Sequence, residues 1–199
     1  MIVVDVETTG LDPEKDQIIS IGAVDFATPH RTYYKECKLS RGVKASRDAL
    51  EITGFSLVSL KDKNKPTLRE ILRDFEKWTA KCNERTLAGE NPWFDAAFLR
   101  RAFREHRFSW PFGHRYVDLH SLSYAKMMRI KKRATVSGGK SGLSLDETLR
   151  CVGLEPRKGF HNALGDAKLE AEAFSRLIYG KALFEEYTKC HLPDYLRRV

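Results

Sequence analysis

The chain opens with MIVVDVETTG (residues 1–10), an apolar run that passes directly into carboxylates and then into turn residues. The apolar run predicts a buried strand over residues 1–5. Since residues two apart on a strand project from the same face, the side chains of Asp5 and Glu7 share one side of the backbone where that strand ends. Two carboxylates held this close repel each other and raise each other's pKa unless a cation neutralises them. The stretch therefore predicts a site for a hard divalent ion.

Two more carboxylates, Asp95 and Asp166, lie on the apolar sides of helical stretches further along the chain. At helical spacing their neighbours on that side are Phe98, Leu99 and Ala102 for Asp95, and Leu169, Ala173 and Leu177 for Asp166. A carboxylate that faces the core is costly unless it is paired or bound to metal. Taken alone, Asp95 is explained more simply by the dipole of its helix N-terminus or by an exposed place at the edge of the stripe.

His161 comes just before the helix that carries Asp166, and the preceding Gly159-Phe160 leaves its ring free to point into a cleft. A lone histidine is more often a surface residue or a satisfied core residue. His161 becomes a candidate for function only when it is considered together with the four carboxylates.

The composition bounds the class of protein. The 199 residues, 42% of them hydrophobic, suit one globular domain over residues 1–199. No apolar stretch approaches the roughly 20 residues that a membrane helix needs, and the first strand turns acidic too early for a secretory signal peptide. A soluble, intracellular or cytoplasmic protein is expected. The four cysteines are widely scattered, which favours reduced, mostly buried thiols over a zinc site or a disulfide framework.

The formal charge is +8 although the acidic residues singled out above are part of the count. Polyanions are therefore plausible partners, but a modest positive balance is also common in proteins that bind no nucleic acid. The segment from Lys126 to Gly142 passes from basic residues into a Ser/Gly-rich piece. It suits either a mobile loop that lies along a phosphate backbone or a solvated helix end followed by a flexible connection.

Hydrophobic periodicity predicts strands first and then strands alternating with helices. The predicted strands are 1–5, 17–26, 31–39, 86–89 and 115–118. A helical pattern begins at Pro66, and the further predicted helices are 92–106, 119–130, 143–152, 162–178 and 181–189. Asn91 is a good N-cap and Pro92 a good first residue for the helix that carries Asp95. This order predicts a mixed α/β sheet with helices packed on it.

Three segments carry a resemblance to a known family: DVETTG (5–10), NPWFD (91–95) and HNALGDA (161–167). In this order and spacing they resemble the three motifs of the DnaQ-like 3′-to-5′ exonucleases called DEDDh. The similarity spans Val3 to about Leu177 and includes SLDETL (144–149). A tyrosine-type relative would carry Tyr four residues before the last Asp, whereas this chain has Asn162 there and His161 one residue earlier. The resemblance implies an RNase H-like fold, with a mixed five-stranded sheet of three antiparallel strands followed by parallel ones, flanked by helices.

Two departures from the family pattern fall beside the second motif. Glu90 stands where the family often has His, and Pro92-Trp93-Phe94 replace the usual small residues before the Asp. Neither change falls on an implied ligand. Glu90 adds an acid near the site, which either affects substrate preference or faces solvent.

The resemblance implies that Asp5, Glu7, Asp95 and Asp166 bind two metal ions, and that these acids and His161 form the catalytic set. By resemblance, Asp5 bridges both ions, Glu7 and Asp166 complete the ion on the nucleophile side, and Asp95 supports the other partly through water. Oxygen ligands without sulfur suit Mg²⁺ or Mn²⁺ rather than zinc. Two such ions roughly 3.5–4 Å apart activate a water and stabilise the leaving 3′ oxygen. His161, with an ordinary pKa of about 6.5, suits removal of the proton from that water.

Substrate contacts are implied for Thr8, Leu11, Ile52 and Asn91. In similar enzymes the residue matching Thr8 approaches the terminal nucleotide, and those matching Leu11 and Ile52 wedge against the last bases without sequence preference. LEITGF (50–55) resembles the corresponding segment of the family, especially of its Trex-like members. The alternative is that Leu11 and Ile52 are core residues.

The sequence thus predicts a metal-dependent 3′-to-5′ exonuclease that cleaves terminal phosphodiester bonds of single-stranded or frayed DNA ends and releases nucleoside 5′-monophosphates. The alternatives are an RNA 3′-end-trimming exoribonuclease of the same family and a non-catalytic nucleic-acid-binding protein with the same fold. DNA and RNA differ at the 2′-hydroxyl, which side-chain identities do not resolve. A homodimer is compatible with the resemblance. A polymerase association is compatible with it but not indicated, since the chain ends at Val199 soon after its last helix.

Overall fold

The computed structural model describes residues 1–130 and 136–197. Its strands are β1 (Ile2–Thr8), β2 (Ile18–Asp25), β3 (Thr32–Glu36), β4 (Leu87–Gly89) and β5 (Tyr116–Asp118). They form one sheet in the order β3-β2-β1-β4-β5. The pairs β1·β2 and β2·β3 are antiparallel, and the pairs β1·β4 and β4·β5 are parallel. The predicted mixed five-stranded sheet, antiparallel first and then parallel, is confirmed.

Helices and a short hairpin surround the sheet. The helices before the hairpin are α1 (Arg47–Thr53), α2 (Leu57–Leu60), α3 (Leu68–Thr79), α4 (Pro92–Glu105) and α5 (Leu119–Arg129). The hairpin consists of β6 (Val136–Ser137) and β7 (Lys140–Ser141). After it come α6 (Leu145–Cys151), α7 (Ala163–Tyr179), a 3₁₀ turn (Glu185–Tyr187) and α8 (Asp194–Arg197).

The sheet is buried on both faces, and the two faces divide the side chains of β1 between two cores. Val4 and Val6 join the apolar residues of α3 and α4, whereas Val3 joins those of α6 and α7. Because side chains alternate along a strand, Asp5 and Glu7 project toward the same face as Val3, which α7 covers. The acidic end of β1 therefore lies under the helix that carries Asp166.

Gly22 allows α7 to approach the sheet closely. It pairs with Asp5 in the β1·β2 ladder, and a Cβ atom at this position would lie 2.1 Å from the carbonyl carbon of Ala163. Any side chain larger than hydrogen would push the first turn of α7 away from β2. Glycine at this position therefore holds the start of α7 against the acidic end of β1.

Helices α7 and α4, which flank the site, begin with different N-cap hydrogen bonding. Asn162 caps α7, since its Oδ1 accepts a hydrogen bond of 3.0 Å from the Gly165 N–H. Helix α4 begins at Pro92 as predicted, but the predicted capping role of the Asn91 side chain is wrong. Asn91 has φ 54° and its side chain makes no capping hydrogen bond. This left-handed conformation, which asparagine tolerates, turns its backbone N–H toward Asp118 Oδ1 at 3.2 Å.

The predicted helix over 181–189 is wrong, because only the 3₁₀ turn Glu185–Tyr187 forms there. The Glu172 carboxylate accepts hydrogen bonds from the backbone N–H groups of Leu183 and Phe184, so these two groups bind a side chain rather than the backbone carbonyls of a helix. The sequence reasoning also missed α1, α2, α8 and the hairpin, each of which is short. Of the cysteines, Cys37 and Cys82 are buried as predicted, whereas Cys190 is exposed.

The basic segment from Lys126 to Gly142 contains the end of α5 at Arg129 and the hairpin of β6 and β7. Lys131, Lys132 and Arg133 lie outside the described residues, so the two interpretations of this segment stay open. Across the described ranges, every helix is too short or too polar to cross a bilayer.

Candidate metal-binding active site

The acidic end of β1 and the start of α7 meet in the folded chain. Glu7 lies near the end of β1, Asp166 lies in the first turn of α7, and His161 lies just before that helix. One ligand atom from each of these three residues lies within 4.8 Å of the others. His161 Nδ1 is 3.8 Å from Asp166 Oδ2. Residues from the first and third motifs are therefore brought together as the sequence predicts.

Asp95 reaches the same cluster from the opposite side of the sheet. It lies in the first turn of α4, it is 4% exposed, and its Oδ1 accepts a hydrogen bond of 2.9 Å from the Val6 N–H. Burial raises the pKa of Asp95 to about 7, although the hydrogen bond from Val6 lowers it. The alternative of an exposed carboxylate at the edge of the helix stripe is therefore wrong.

Burial is the main cause that holds the pKa values of Asp5, Glu7 and Asp166 above the usual range. Burial is the main reason that the pKa of Asp5 is raised well above its ordinary value, and the charges of Asp95, Glu7 and Asp166 add to it. Burial and then the charges of Asp166 and Asp95 raise the pKa of Glu7 to about 7. Burial also raises the pKa of Asp166. A cation among these groups would favour their charged forms, since opposite charge stabilises carboxylate anions.

Arg157 contacts the cluster, and the sequence reasoning missed it. Its guanidinium Nη1 donates a hydrogen bond of 3.0 Å to Asp166 Oδ2, and its Nε donates one of 2.9 Å to Asp146 Oδ1. Nη1 also lies 3.4 Å from His161 Nδ1. Its charge lowers the pKa of Asp5 and of Glu7, but burial and the neighbouring acids outweigh it. The position of Arg157, four residues before His161, was the one available clue.

His161 is half-buried and borders the cleft. Its backbone N–H donates a hydrogen bond of 2.9 Å to the Ile52 carbonyl, which fixes the segment before α7 to α1. Burial and then the Arg157 charge lower the pKa of His161, while Asp166 raises it. The imidazole is therefore neutral at pH 7 and is able to accept a proton.

Two further acids lie beside the predicted set. Glu90 borders the cleft, and burial followed by the Asp118 charge raises its pKa to about 8. Glu170, one turn after Asp166 on α7, is 2% exposed. Burial and then the charges of Asp5 and Asp95 raise its pKa well above the usual value. Within the described part of the chain, Glu90 Oε2 and Glu170 Oε2 have no hydrogen-bond partner.

The sequence singled out Glu90 as an extra acid near the site but gave no distinctive signal for Glu170. The alternative that Glu90 simply faces solvent is wrong, because its Oε2 is buried. Glu170 was missed, although its spacing of four residues from Asp166 places it on the same helix face. A periodicity count alone cannot separate such an acid from one that is satisfied within the core.

A cleft of about 730 Å³ opens over the cluster and is bordered by all four predicted substrate contacts. Leu11 is 84% exposed and Ile52 is 50% exposed. The alternative that they are core residues is therefore wrong. Asn91 also borders the cleft and is exposed. Thr8 borders it too, but it is 7% exposed and its Oγ1 donates a hydrogen bond of 2.6 Å to the Gly10 carbonyl.

The donor set fits a hard divalent cation. Asp5, Glu7, Asp95 and Asp166 offer carboxylate oxygens, and none of the residues around them in the described chain offers sulfur. Glu7 Oε1 is buried without a hydrogen-bond partner among the described residues. A buried oxygen of this kind is costly unless it binds a proton, a water or a metal. Such a set suits Mg²⁺ or Mn²⁺.

Comparison with known proteins agrees with this fold. Residues 2–174 match the model of the RNase_T exonuclease family, and the chain therefore belongs to this family. The 3′-5′ DNA exonuclease Cap18 of Escherichia coli is 32% identical over 184 residues, which cover 88% of this chain and 89% of Cap18. The PolC-type DNA polymerase III of Thermotoga maritima is 33% identical over 179 residues. That match covers 89% of this chain but 12% of the polymerase, so the chain spans a small part of it.

Solved structures show the same architecture. The product-bound structure of exonuclease I has a TM-score of 0.71 at 17% sequence identity, over 90% of this chain and 43% of that one. This likeness confirms the predicted RNase H-like fold, and the match to the family model confirms the predicted family.

Proposed function

We propose that this protein is a divalent-metal-dependent 3′-to-5′ exonuclease that removes nucleoside 5′-monophosphates from DNA ends. The observation that carries the proposal is that Asp5, Glu7, Asp95 and His161 line one open cleft, while Asp166 on α7 lies within 4.8 Å of Glu7 and His161. The raised pKa values of the four acids mark a site that is electrostatically incomplete without a cation. A folded chain gains nothing from such crowding unless the acids serve a ligand.

Asp5, Glu7, Asp95 and Asp166 would hold the ions, and Asp5 is central because the other three charges all act on it. When bound, divalent ions supply Lewis-acid activation of a water and neutralise charge on the leaving oxygen. The protein supplies the orientation of these ligands. The Val6 N–H fixes Asp95, and the Arg157 guanidinium fixes Asp166.

His161 is the proposed general base. The oxygen of a water forms a bond to the terminal phosphorus as the bond from phosphorus to the 3′ oxygen of the penultimate nucleotide breaks. His161 accepts the proton of that water, which requires a neutral imidazole at the working pH. The lowered pKa of His161 supports this role near neutral pH. The products are a nucleoside 5′-monophosphate and a strand shortened by one nucleotide with a free 3′-hydroxyl.

The 3′ end is proposed to lie between two apolar side chains. Leu11 follows the first motif and Ile52 lies on α1, and both stand exposed at the cleft. Exposed aliphatic side chains at a cleft mouth contact any base without reading its sequence. Asn91 is proposed to contact the terminal nucleotide by its polar side chain, and Thr8 by its backbone or hydroxyl.

The choice of DNA is supported by the likeness to Cap18, which is named as a DNA exonuclease and matches along most of both chains. The test uses purified protein with 5′-labelled DNA and RNA oligomers of matched sequence, single- and double-stranded, with Mg²⁺ or Mn²⁺. The expected result is a ladder of products shortened from the 3′ end of DNA, which disappears with a chelator. Stepwise loss from RNA alone would make the enzyme an exoribonuclease, and intact strands in every reaction would contradict the enzyme assignment.

Matched variants connect this activity to the site. Asp5→Asn and His161→Gln are expected to lose the activity while they remain folded. Glu155→Gln serves as the control, because Glu155 is an exposed acid that does not line the cleft. If Asp5→Asn cleaves as fast as Glu155→Gln, the cluster is not the active site.

A further inference from the structure

A second hollow, of about 510 Å³, lies on the surface between the end of β3 and the start of α1 and is bordered by α2's end. Five of its nine lining residues are cationic, and we call these five the basic groove: Lys38, Arg41, Lys44, Lys61 and Lys63. No carboxylate lines it. The side chains of Arg41, Lys44, Lys61 and Lys63 belong to exposed residues. The hollow therefore presents concentrated positive charge to solvent.

The charge of the basic groove is not compensated by the acids around it. Across residues 1–130 and 136–197, none of its five cations forms an ion pair. Three neighbouring acids, Asp62, Glu36 and Glu70, are engaged elsewhere. Asp62, between Lys61 and Lys63 in the chain, accepts a hydrogen bond of 2.9 Å from the Asn64 N–H through its Oδ1. Glu36 pairs with Lys65, and Glu70 accepts hydrogen bonds from Thr67 at the start of α3. Lys38 Nζ donates to the Lys63 carbonyl, which brings the two sides of the groove together.

The basic groove and the catalytic cleft both adjoin a third, smaller hollow. A small hollow between them shares Asp16 with the cleft and shares Ser40 and Val43 with the groove. Gln17 fixes the near wall, since its Oε1 accepts a hydrogen bond of 2.8 Å from Ser40 N–H and its Nε2 donates one of 2.9 Å to the Lys38 carbonyl.

A further backbone hydrogen bond ties the end of the 38–46 segment to the first motif. Ser46 N–H donates to the Thr9 carbonyl at 2.8 Å, and Ser46 borders the cleft. Arg41 precedes Ser46 by five residues, which span at most about 18 Å when extended. At a rise of about 3.4 Å per nucleotide, a strand seated in the cleft reaches the groove within about five nucleotides.

We propose that the basic groove binds the phosphates of the substrate strand several nucleotides to the 5′ side of the terminal nucleotide. The proposal rests on the proposed exonuclease function and adds the path that the strand follows away from the cleft. Lysine and arginine side chains bind phosphates by charge and release counterions, so the contact is independent of sequence and weakens with salt. The acidic cleft floor repels a phosphate backbone in the absence of metal. The groove therefore supplies an attraction that the cleft itself lacks.

The test compares two triple variants of equal charge. Arg41→Gln/Lys44→Gln/Lys61→Gln removes three exposed cations from the groove. Lys77→Gln/Lys81→Gln/Arg85→Gln removes three exposed cations from the end of α3 and the turn after it. Binding of a fluorescein-labelled dT20 is measured by anisotropy in an Asp5→Asn background, which prevents cleavage. Hydrolysis of the trinucleotide dT3 is measured in the otherwise unchanged protein.

The groove variant is expected to weaken dT20 binding about tenfold at low salt and to reduce the slope of log Kd against log salt by about 2, since single strands contribute about 0.7 per phosphate contact. Its kcat/KM for dT3 is expected to stay within about twofold of the unchanged protein, because on this proposal the groove contacts phosphates several nucleotides from the 3′ end, which a trinucleotide lacks. The control variant is expected to alter dT20 binding by less than about twofold.

Two results would overturn the proposal. One is equal weakening of dT20 binding by the groove and control variants, which would mean that only the net charge matters. The other is an equal loss for dT3 and dT20 in the groove variant, which would place its effect in the cleft. The binding measurement does not depend on cleavage. A protein that fails to hydrolyse dT3 contradicts the proposed function, while its dT20 binding still decides the path of the strand.

Discussion

Helix α7 carries two buried glutamates two residues apart, and the fold treats them in opposite ways. Glu172 is fully buried, and its Oε1 lies 2.7 Å from Arg176 Nε while its Oε2 accepts hydrogen bonds from the N–H groups of Leu183 and Phe184. Glu170 is 2% exposed, and its Oε2 has no hydrogen-bond partner in the described structure. Its nearest charges are acids, so its pKa is raised by burial and then by Asp5 and Asp95.

On the side of α7 that carries Glu172, the buried charges are balanced and hydrogen-bonded within the chain. Arg176 is buried with Glu172, and its guanidinium also donates to the carbonyls of Val152, Tyr187 and His191. Both charged side chains therefore have partners within the chain, and the Glu172–Arg176 pair stabilises the docking of the C-terminal segment. On the other side of α7, Asp166 and Glu170 lie near acids from β1 and α4, with Arg157 as the neighbouring cation. Burial alone does not mark a functional acid; burial without a partner does.

The largest expected effect is on catalysis, at the acidic cluster on the Glu170 side of α7. Asp5→Asn should lower kcat by about four orders of magnitude, or about 5.4 kcal/mol in activation free energy, because it removes the most central ligand charge. The same change should raise the unfolding free energy of the metal-free protein by about 1 kcal/mol, since it relieves repulsion. Single-turnover assays and urea unfolding measure the two effects. A variant that loses stability as well as activity would make the cluster a structural feature like Glu172.

The next largest effect is on stability, at the buried pair of Glu172 and Arg176. Arg176→Met should lower the unfolding free energy by about 3–5 kcal/mol, because it leaves the Glu172 charge buried without its partner. Urea unfolding monitors the loss. The double variant Glu172→Gln/Arg176→Met should lose less than Arg176→Met alone, since no charge is then stranded. Both variants should keep their activity per folded molecule, because this pair has a structural role only. A selective loss of kcat would contradict the distinction between the pair and the acidic cluster.

The metal-free protein should become less stable as the pH rises. The folded-state pKa of Glu7 is about 7, against an ordinary value of 4.5, so the folded state binds more protons than the unfolded state between these values. Stability from this group is therefore greatest at low pH and falls by about 3 kcal/mol between pH 4.5 and pH 7, at about 1.36 kcal/mol per pKa unit. Urea unfolding across pH 5 to 8 should show the fall, and saturating Mg²⁺ should remove most of it.

Glu7→Gln provides the check on that pH dependence. Its stability profile in the absence of metal should be flatter than that of the unchanged protein. An unchanged slope would assign the pH dependence to groups outside the acidic cluster.

The smallest expected effect compares the two glutamates directly. Glu170→Gln should raise the unfolding free energy of the metal-free protein at pH 8 by about 1 kcal/mol, because a carboxyl whose pKa is raised by folding lowers stability at high pH and glutamine does not titrate. Glu172→Gln, the matched change two residues away, should lower it, because Arg176 loses its counter-charge. The two variants are compared by urea unfolding in one buffer. Equal losses would mean that the helix does not distinguish its two acids.

Much of the fold was predictable from the sequence because its elements are long and strongly patterned. The order of strands and helices follows from the apolar runs of β1 and β2 and from the helical spacing in α3 and α7. The segment after Tyr179 was not predictable, because its path is set by hydrogen bonds from Leu183 and Phe184 to Glu172. Such contacts depend on where the chain returns in space, which periodicity does not encode.

The predicted ligand residues do converge, but their surroundings were only partly predictable. Asp5, Glu7, Asp95 and Asp166 stand out because they interrupt apolar patterns. Arg157 lies in a loop, where no periodicity marks it, and its contacts to Asp146 and Asp166 appear only after folding. Glu170 and Glu172 are both buried on α7. The residues that give Glu172 its partners, and the acids that surround Glu170, lie largely in other segments of the chain.

The central claim is that acids from β1, α4 and α7 form a cage for divalent cations. The most direct measurement is an anomalous difference map from a crystal soaked in Mn²⁺ at about pH 7.5. The account predicts two peaks roughly 3.5–4 Å apart, in contact with Asp5, Glu7, Asp95 and Asp166. A map without a peak among these four carboxylates, with their side chains turned away from one another, would contradict it.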